Sequence, residues 1–245
     1  MFPTLNVGGV VFPTTGLVIL LGTWLSLALV ERTASRVGQN QQLMYGVAVT
    51  AVFAGFVGAR LTFVAQFWSA FQENLLNIIW PLNTGYNVWG GVVVGLVAAF
   101  FYARVKRLHF WPALDALTPG LVFALMVASL ADFMGGPGYG ALTAVPWGMT
   151  QFGVRRHPVQ LYELVVGGLA LLAWWHASRR EWYEVARPFW VATAVYSVGR
   201  LFVDAFRDNV PVVGDGYHLV QIVSLALLLV ALFQIGQLVK PLPES

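Results

Sequence analysis

The chain has 245 residues, of which 58% are hydrophobic and only 10% are charged. Soluble domains are usually about half apolar and about a quarter charged, so this composition excludes an ordinary soluble globule and also an intrinsically disordered chain. No cysteine is present, which excludes disulfide bonds, thiolate metal sites and a cysteine nucleophile. The formal net charge of +3 is too small to indicate a nucleic-acid-binding protein.

Seven apolar stretches follow one another along the chain, each near the roughly 20 residues that cross a bilayer as a helix. They cover approximately residues 9–30, 43–66, 87–103, 112–131, 159–177, 187–203 and 217–238. We predict that the first is retained as a helix and is not a signal peptide, because no Lys or Arg precedes it and no cleavage site follows it. The sequence thus predicts an all-α integral membrane protein with about seven transmembrane helices, folded as one domain over residues 1–245.

The loops between these helices differ in charge. Nine of the 14 Lys and Arg residues lie after the first, third and fifth helices or in the C-terminal tail, and three lie on the opposite side. Because cytoplasmic loops are enriched in Lys and Arg, we predict that the N-terminus lies outside and the C-terminus in the cytoplasm. The nine are Arg32, Arg36, Arg104, Lys106, Arg107, Arg179, Arg180, Arg187 and Lys240, and the three are Arg155, Arg156 and Arg207.

A few charged side chains lie in or beside the apolar stretches, where a charge costs a few kcal/mol and normally faces the protein interior. Arg60 and Glu163 are candidate functional residues because apolar residues adjoin them. Arg200 lies near the outer end of the sixth helix, where its guanidinium could bind a lipid phosphate through two parallel hydrogen bonds. Three acidic residues near helix ends fit a structural role equally well: Asp115, Asp132 and Asp204.

Residues 157–163, which read HPVQLYE, form the densest polar cluster and lie where an outer loop enters the fifth helix. If this helix begins near Pro158, Gln160 and Glu163 share one face, and Glu163 complements the helix dipole. A helix cap with a satisfied histidine is the alternative to a functional site. The histidines are not spaced as metal ligands, and P-loop, Rossmann and nucleophile-elbow motifs are absent. We expect no metal and no cofactor other than a bound phospholipid.

Six segments resemble, in order and spacing, motifs of the prolipoprotein diacylglyceryl transferase family. Residues 157–163 resemble that family's HPSQLYE motif. The other five are residues 58–61 (GARL), 115–120 (DALTPG), 145–149 (VPWGM), 199–207 (GRLFVDAFR) and 221–224 (QIVS). The resemblance covers nearly the whole chain, and that family also has seven helices with its N-terminus outside.

The resemblance implies an activity at the outer face of the bacterial cytoplasmic (inner) membrane. There, that family transfers the diacylglyceryl group of phosphatidylglycerol to the lipobox cysteine of a secreted prolipoprotein. The corresponding candidates for catalysis are His157 and Glu163. The candidates for lipid binding are Arg60, Asp132, Gln160, Tyr162 and Arg200.

Several residues that carry the family's chemistry are replaced in this sequence. The family segment G-R-x-G-N-F-x-N-G-E aligns with residues 128–137, which read ASLADFMGGP. The replaced positions are Thr15 (for tyrosine), Trp89 (for histidine), Ser129 (for arginine), Asp132 and Gly135 (for two asparagines) and Pro137 (for glutamate). Losing an arginine and gaining an aspartate shifts the local charge by two units toward negative, which disfavours an anionic phosphate. Trp89 cannot relay a proton, because an indole N–H only donates.

Three functions follow from this pattern. The first, which the replacements favour, is a non-catalytic relative (a pseudoenzyme) that binds lipid and serves as a subunit or assembly partner of a larger membrane complex. The second is an active diacylglyceryl transferase with a rebuilt site, in which Arg200 holds the phosphate and His157 or Glu163 handles protons. The third is an enzyme or carrier for another lipid, with Asp132 favouring a neutral or cationic headgroup.

Overall fold

The computed structural model describes residues 4–7, 10–79, 85–181, 183–208, 211–214 and 216–238, and these residues are mostly helical. The helices are α1 Thr14–Ala34, α2 Gln41–Gln66, α3 Trp68–Phe71, α4 Leu76–Ile79, α5 Val88–Val105, α6 Phe110–Gly135, α7 Val159–Ala177, α8 Arg187–Asp204 and α9 Leu219–Leu238. A short 3-10 helix, Ser35–Val37, follows α1.

Three short antiparallel hairpins lie between or before these helices. They pair β1 Thr4–Val7 with β2 Val10–Pro13, β3 Met149–Gln151 with β4 Val154–Arg156, and β5 Val212–Val213 with β6 Tyr217–His218. The prediction that the first helix begins at residue 9 is wrong, because residues 10–13 pair with residues 4–7 in a hairpin. An apolar run of this length fits a strand as well as a helix, and hydropathy alone does not distinguish them.

The seven long helices match the seven predicted stretches in order. Five of the described helices (α1 with its 3-10 extension, α2, α5, α6 and α9) are long and apolar enough to cross a membrane. The other two long helices, α7 and α8, are not among these five. The fold is therefore that of an all-α membrane protein, whereas seven crossings and the outward N-terminus stay predictions. Lys240, one of the nine counted cations, lies outside the described residues.

An asparagine side chain caps the N-terminus of two of the membrane helices, α2 and α5. Asn40 precedes α2, and its side-chain oxygen accepts a hydrogen bond from the backbone N–H of Leu43 at 3.0 Å. Asn87 precedes α5 and accepts from the backbone N–H of Gly90 at 2.9 Å. Asparagine is among the preferred residues at this position, because its oxygen satisfies an N–H that has no partner within the helix.

The helices pack mainly in neighbouring pairs: α1 against α6, α2 against α5, α6 against α7, α7 against α8, and α8 against α9. The main apolar core lies where α1, α2, α6, α7 and α8 meet, and it includes Val30, Met44, Ala116, Trp174 and Ala192. Many apolar side chains on the outer faces of α5 and α9 are exposed. In a membrane protein such faces contact lipid chains rather than water.

The crossing of α2 and α5 depends on glycine. A Cβ atom at Gly91 would lie 2.7 Å from the carbonyl oxygen of Gly55, and one at Gly95 would lie 2.7 Å from that of Ala51. These distances are too short for real atoms, so α2 and α5 approach closely only because these side chains are absent. Small residues serve the same purpose at other helix contacts in membranes.

We expect the Gly91→Ala variant to be less stable by about 1–3 kcal/mol, because the added methyl group forces two backbones apart. The measurement is thermal unfolding of the purified protein in detergent. Gly168→Ala is the matched control, since Gly168 lies within α7 and a Cβ there meets nothing within 4 Å. Equal melting temperatures for the two variants would contradict the close-packing argument.

We call one end of the bundle the Lys/Arg-rich end, because eight of the nine cations that predict the cytoplasmic side lie there, near the ends of α1, α5 and α7 and the start of α8. Arg36, after α1, donates through Nε to the hydroxyl of Ser178, after α7, at 2.8 Å. Its guanidinium also lies 3.8 Å from the ring centre of Trp175. The ends of α1 and α7 are therefore neighbours, as the alternating direction of the helices requires.

Asp115 joins α6 to the start of α8 at this same end. It is fully buried, and its carboxylate accepts from the backbone N–H groups of Ala186 at 2.8 Å and Phe189 at 3.0 Å. The hydroxyl of Tyr183 lies 3.4 Å from the same carboxylate, and burial, with a smaller effect of the Asp115 charge, raises the pKa of Tyr183 to about 12. Asp115 thus caps a helix other than its own, which is a structural role.

Candidate functional site

The opposite end of the bundle, which we call the Glu163 end, contains a buried cluster of charged residues. Glu163 is only 4% exposed. Both Arg200 and Arg207 pair with its Oε1 atom, and the hydroxyl of Ser129 donates to its Oε2 atom at 2.7 Å. The ends of three helices, α6, α7 and α8, therefore meet at one carboxylate.

Local sequence explains why these side chains meet. Pro158 immediately precedes α7, which places Glu163 in the early part of this helix, where a negative charge is favoured by the helix dipole. Arg200 and Asp204 are four residues apart and share one face at the end of α8, and Arg207 follows in the turn after the helix. That side faces the start of α7.

A second layer of charges surrounds the two arginines. Asp204 is fully buried, and its Oδ1 atom lies 4.0 Å from Nε of Arg207. Its Oδ2 atom lies 3.3 Å from Nδ1 of His218, in β6 immediately before α9. Burial lowers the pKa of Arg207, and the negative charges of Asp204 and Asp132 act against this effect.

The described cluster is therefore slightly negative. Three carboxylates (Asp132, Glu163 and Asp204) surround two guanidinium groups (Arg200 and Arg207), which gives a formal charge of −1. Both arginines already have a carboxylate partner. An anionic phosphate entering here would have to compete with Glu163 for the same hydrogen-bond donors.

An aromatic group lies beside the charged cluster. The Nδ1 atom of His157 lies 3.3 Å from the hydroxyl oxygen of Tyr162, which also accepts a hydrogen bond from Nε1 of Trp147 at 2.8 Å. The His157 ring also packs on Phe206, with 4.9 Å between ring centres. Within the described residues, His157 makes no hydrogen bond to Glu163.

Gln160 points into the fold beneath this group. It is fully buried, and its Nε2 atom donates to the carbonyl oxygen of Pro137 at 3.1 Å. Its Oε1 atom has no hydrogen-bond partner among the residues that the structure describes. A buried amide oxygen normally has a hydrogen-bond donor, so this atom is available to a hydroxyl group or to water.

The predicted lipid-binding residue Arg60 lies in a different part of the fold. Its guanidinium donates to the carbonyl oxygens of Asn77, Ile78 and Gly85, at 2.9 Å for Ile78 and 3.1 Å for Gly85. No contact among the described residues joins it to Glu163. Arg60 therefore attaches the segment around α4 to the end of α2.

The six replaced positions do not all surround the site. Ser129 bonds to Glu163, Asp132 lies near Arg207, and the carbonyl of Pro137 binds Gln160. Thr15, in α1, lies against Gly135, since a Cβ there would be 2.8 Å from its hydroxyl oxygen. Trp89, in contrast, is 81% exposed at the start of α5.

The position of Arg207 depends on the absence of a side chain at residue 138. Gly138 has a φ of +68°, and a Cβ there would lie 2.5 Å from Nη1 of Arg207. We expect Gly138→Ala to displace this guanidinium from Glu163. Gly153→Ala is the matched control, since Gly153 has a φ of +78° and open space around it.

Both variants carry the cost of a left-handed backbone, about 1–2 kcal/mol. Only Gly138→Ala adds a clash, so it should lose about 1–3 kcal/mol more stability than Gly153→Ala in thermal unfolding. A difference close to zero would mean that Arg207 is not held where the structure places it.

The sequence-based candidate list omits two residues that the structure places in the cluster. The sequence indicates Arg207 only as a loop cation and as the last residue of the 199–207 motif segment, and it assigns no role to His218. The spacing of Arg200, Asp204 and Arg207 is a signal that could have identified Arg207 as a candidate, because residues four and seven apart share a face of a helix. No spacing links His218 to Asp204, since a hairpin brings them together.

Comparison with known proteins identifies the family. The model of the prolipoprotein diacylglyceryl transferase family matches residues 4–236. A phosphatidylglycerol–prolipoprotein diacylglyceryl transferase of Clostridioides difficile is 26% identical over 212 residues, which cover 86% of this chain and 84% of that protein. The protein of that name from Thermosynechococcus vestitus is 26% identical over 255 residues, covering 98% and 95%. That from Corynebacterium efficiens is 28% identical over 238 residues, covering 87% and 72%.

The matched region includes α1 to α8, all but the last two residues of α9, and the whole Glu163 end. The bacterial relatives and the apolar helices confirm the predicted location, the bacterial cytoplasmic (inner) membrane. The resemblance drawn from six short motifs is confirmed along nearly the whole chain. This chain belongs to the prolipoprotein diacylglyceryl transferase family.

Proposed function

We propose that this chain is a lipid-binding member of its family that does not itself transfer a diacylglyceryl group. The observation that carries the proposal is the pairing of both Arg200 and Arg207 with Glu163. Phosphate recognition needs cationic donors, and these donors are already bound to a carboxylate inside the protein. Ser129 strengthens this arrangement, because it donates to the second oxygen of the same carboxylate.

The candidate proton-handling residues support the same proposal. Glu163 already accepts hydrogen bonds from two guanidinium groups and one hydroxyl, which makes it a poor acceptor for a substrate proton. His157 lies against Tyr162 and Phe206 and makes no described contact with Glu163. General acid–base assistance is typically worth about 10²–10⁴-fold in rate, so its loss leaves little catalysis.

A second candidate, an active transferase with a rebuilt site, is supported by a different observation. Relatives named as transferases match over 84% and 95% of their own length. Arg200, His157 and Glu163 are also gathered at one end of the bundle. In this alternative, Arg200 would exchange Glu163 for the lipid phosphate, and His157 or Glu163 would move protons.

The decisive assay measures transfer of labelled diacylglycerol from phosphatidylglycerol to a lipobox peptide by the purified chain in detergent. The Clostridioides difficile relative serves as the positive control and the Arg200→Gln variant as the background. We expect the wild-type chain to equal that background. Transfer above the Arg200→Gln level, or rescue of a bacterial strain lacking its own transferase, would establish the second candidate and end the first.

Mass spectrometry of the co-purified lipid tests the lipid-binding half of the proposal. We expect phospholipid at a stoichiometric ratio, whereas a lipid-free protein would contradict the proposal. The formal charge of −1 in the cluster suits a neutral or cationic headgroup, and recovery of such a lipid would support the third function, an enzyme or carrier for another lipid.

We further propose that the chain works beside other membrane proteins as a subunit or assembly partner. The exposed apolar faces of α5 and α9 leave room for such neighbours. The test is purification from native membranes in a mild detergent. A stoichiometric second protein is expected, and a chain that always migrates alone would overturn this part of the proposal.

A further inference from the structure

A small antiparallel sheet, which we call the cap sheet, extends from the Glu163 end of the bundle. The β3–β4 hairpin is one part of it. Leu142 lies opposite Arg156 of β4, and Gly140, two residues before Leu142, lies opposite Arg207. The segment around Leu142 therefore joins the hairpin to the turn that follows α8. In spatial order, the cap sheet consists of residues 206–208, residues 139–143, β4 and β3.

One face of the cap sheet points into the bundle at its first strand and continues beyond it. At the first strand this face carries Arg207, which pairs with Glu163. Residues that lie opposite each other, or two apart on one strand, project to the same face of a sheet. The pairing register therefore continues the face of Arg207 through Leu142 to Met149 and Val154. Neighbouring strands are about 4.8 Å apart, so this face extends about 14 Å from the strand of Arg207 to β3.

The part of this face that lies away from Arg207 is apolar and uncovered. Leu142 is 66% exposed, and Met149 and Val154 are 38% and 41% exposed. The opposite face of the hairpin carries Thr150 and Arg155, which lie opposite each other. The hairpin is thus polar on one face and apolar on the other. An apolar patch of this kind indicates contact with a membrane or with another protein.

The hydrogen bond of Trp147 shows at what depth the hairpin lies. Trp147 is 62% exposed, and its Nε1 atom donates to the hydroxyl of Tyr162 at the start of α7. The next residue, Glu163, binds Ser129 within the last two turns of α6. With 26 residues, α6 is about 39 Å long, whereas the hydrocarbon core is about 30 Å thick. The end of α6 therefore reaches the headgroup region, where exposed tryptophan is enriched.

The tip of the hairpin holds an aromatic residue in an unfavourable backbone conformation. Phe152 has a φ of +53°, which is rare for a bulky residue, and Gly153 follows with a φ of +78°. The left-handed conformation costs about 1–2 kcal/mol, and the ring is 65% exposed. Transfer of such a ring from water to an apolar environment recovers about 1.5–3 kcal/mol. Contact with lipid offsets the cost of this turn, whereas contact with water does not.

We propose that the cap sheet rests on the surface of the membrane leaflet at the Glu163 end, which is the outer leaflet in the predicted orientation. Leu142, Met149 and Val154 lie among the lipid headgroups, and Phe152 reaches the boundary of the acyl chains. The partner is the bilayer surface, because the apolar face lies at headgroup depth and projects sideways from the bundle. The inference does not depend on whether the Glu163 end transfers a diacylglyceryl group.

The test uses the absence of cysteine, which allows the full chain to be labelled at one chosen position. Leu142→Cys reports on the proposed membrane face, and Thr150→Cys, on the opposite face of the hairpin, is the matched control. Each variant carries the fluorophore NBD in phosphatidylcholine nanodiscs. Two quenchers are compared, a nitroxide on the lipid acyl chain near the headgroup and iodide in the water.

We expect the lipid nitroxide to quench the label at Leu142→Cys about threefold more strongly than that at Thr150→Cys, since interfacial groups lie about 5–10 Å below the headgroup surface. Iodide should show the reverse order. Stronger or equal iodide quenching at Leu142→Cys would mean that this face is open to water and free for a soluble partner, and it would overturn the proposal.

A second substitution tests the role of Phe152. Aspartate tolerates a left-handed backbone better than phenylalanine, so Phe152→Asp should fold, but its charge opposes insertion into lipid. Added to Leu142→Cys, it should reduce quenching by the lipid nitroxide about twofold. Thr150→Asp, added in the same way, is the control and should leave the quenching unchanged. Equal quenching with and without Phe152→Asp would also overturn the proposal.

Discussion

Replacing Glu163 with glutamine is expected to destabilise the protein strongly while increasing its affinity for anionic lipid. The substitution leaves Arg200 and Arg207 largely buried without their shared carboxylate. Removing one partner of a buried ion pair typically costs about 3–5 kcal/mol, because the remaining charge is uncompensated. The loss of stability should appear in thermal and denaturant unfolding of the protein in detergent.

The second measurement on Glu163→Gln is the change in its melting temperature when phosphatidylglycerol is added. A phosphate can replace the missing carboxylate, so added phosphatidylglycerol should raise the melting temperature of the variant more than that of the wild-type chain. Phosphatidylcholine at the same concentration serves as the lipid control. A variant that gains no more from phosphatidylglycerol than the wild type would indicate that the two arginines cannot reach a headgroup.

Asp208→Asn is the matched protein control for Glu163→Gln. Asp208 pairs with Arg156 at 2.7 Å, but its side chain is half exposed. Such pairs contribute only about 0–1 kcal/mol, because water competes for both charges. If Asp208→Asn and Glu163→Gln had the same effect, the buried network would have no special importance for stability.

Replacing Asp115 with alanine is the second change expected to have a large effect. The variant leaves the buried N–H groups of Ala186 and Phe189 without their acceptor. Each unsatisfied buried donor costs about 1–3 kcal/mol, so the total loss should be about 2–6 kcal/mol. Thermal unfolding measures the loss, and Asp115→Asn should recover part of it because an amide oxygen still accepts.

Asn40→Ala is the control for this experiment, because it removes a helix cap that is local to α2. The Asn40 side chain satisfies one N–H, that of Leu43, and its loss should cost about 1 kcal/mol. The contrast separates a cap within one helix from a cap that also joins two helices. Similar losses for Asp115→Ala and Asn40→Ala would show that the link from α6 to α8 adds little.

Sequence reasoning predicted the helices well for physical reasons that can be named. Membrane helices need long apolar runs, and loops interrupt them with charge, so hydropathy locates each one. The boundaries of α7 were predicted as residues 159–177, where Pro158 ends the preceding loop and polar residues follow Ala177. The start of α1 was misplaced because the strand before it is equally apolar.

The candidate site was only partly predictable, because its contacts join distant parts of the chain. The sequence indicated Glu163 and Arg200 separately, but 37 residues separate them and no local rule pairs them. The carbonyl partners of Arg60 could not be predicted either, since they lie in and after the short helix α4, more than 15 residues away along the chain. Local spacing predicts neighbours on one helix and leaves contacts between helices open.

Helix α8 is held at both ends by carboxylates from other helices: Asp115 of α6 at its start, and Glu163 of α7 near its end. A helix anchored in this way resists sliding along its axis, since either movement would break a buried contact. Any opening of the bundle that admits a lipid should therefore come from movement of a peripheral helix, either α9, which packs on α8, or α5, which packs on α2, while α8 stays in place.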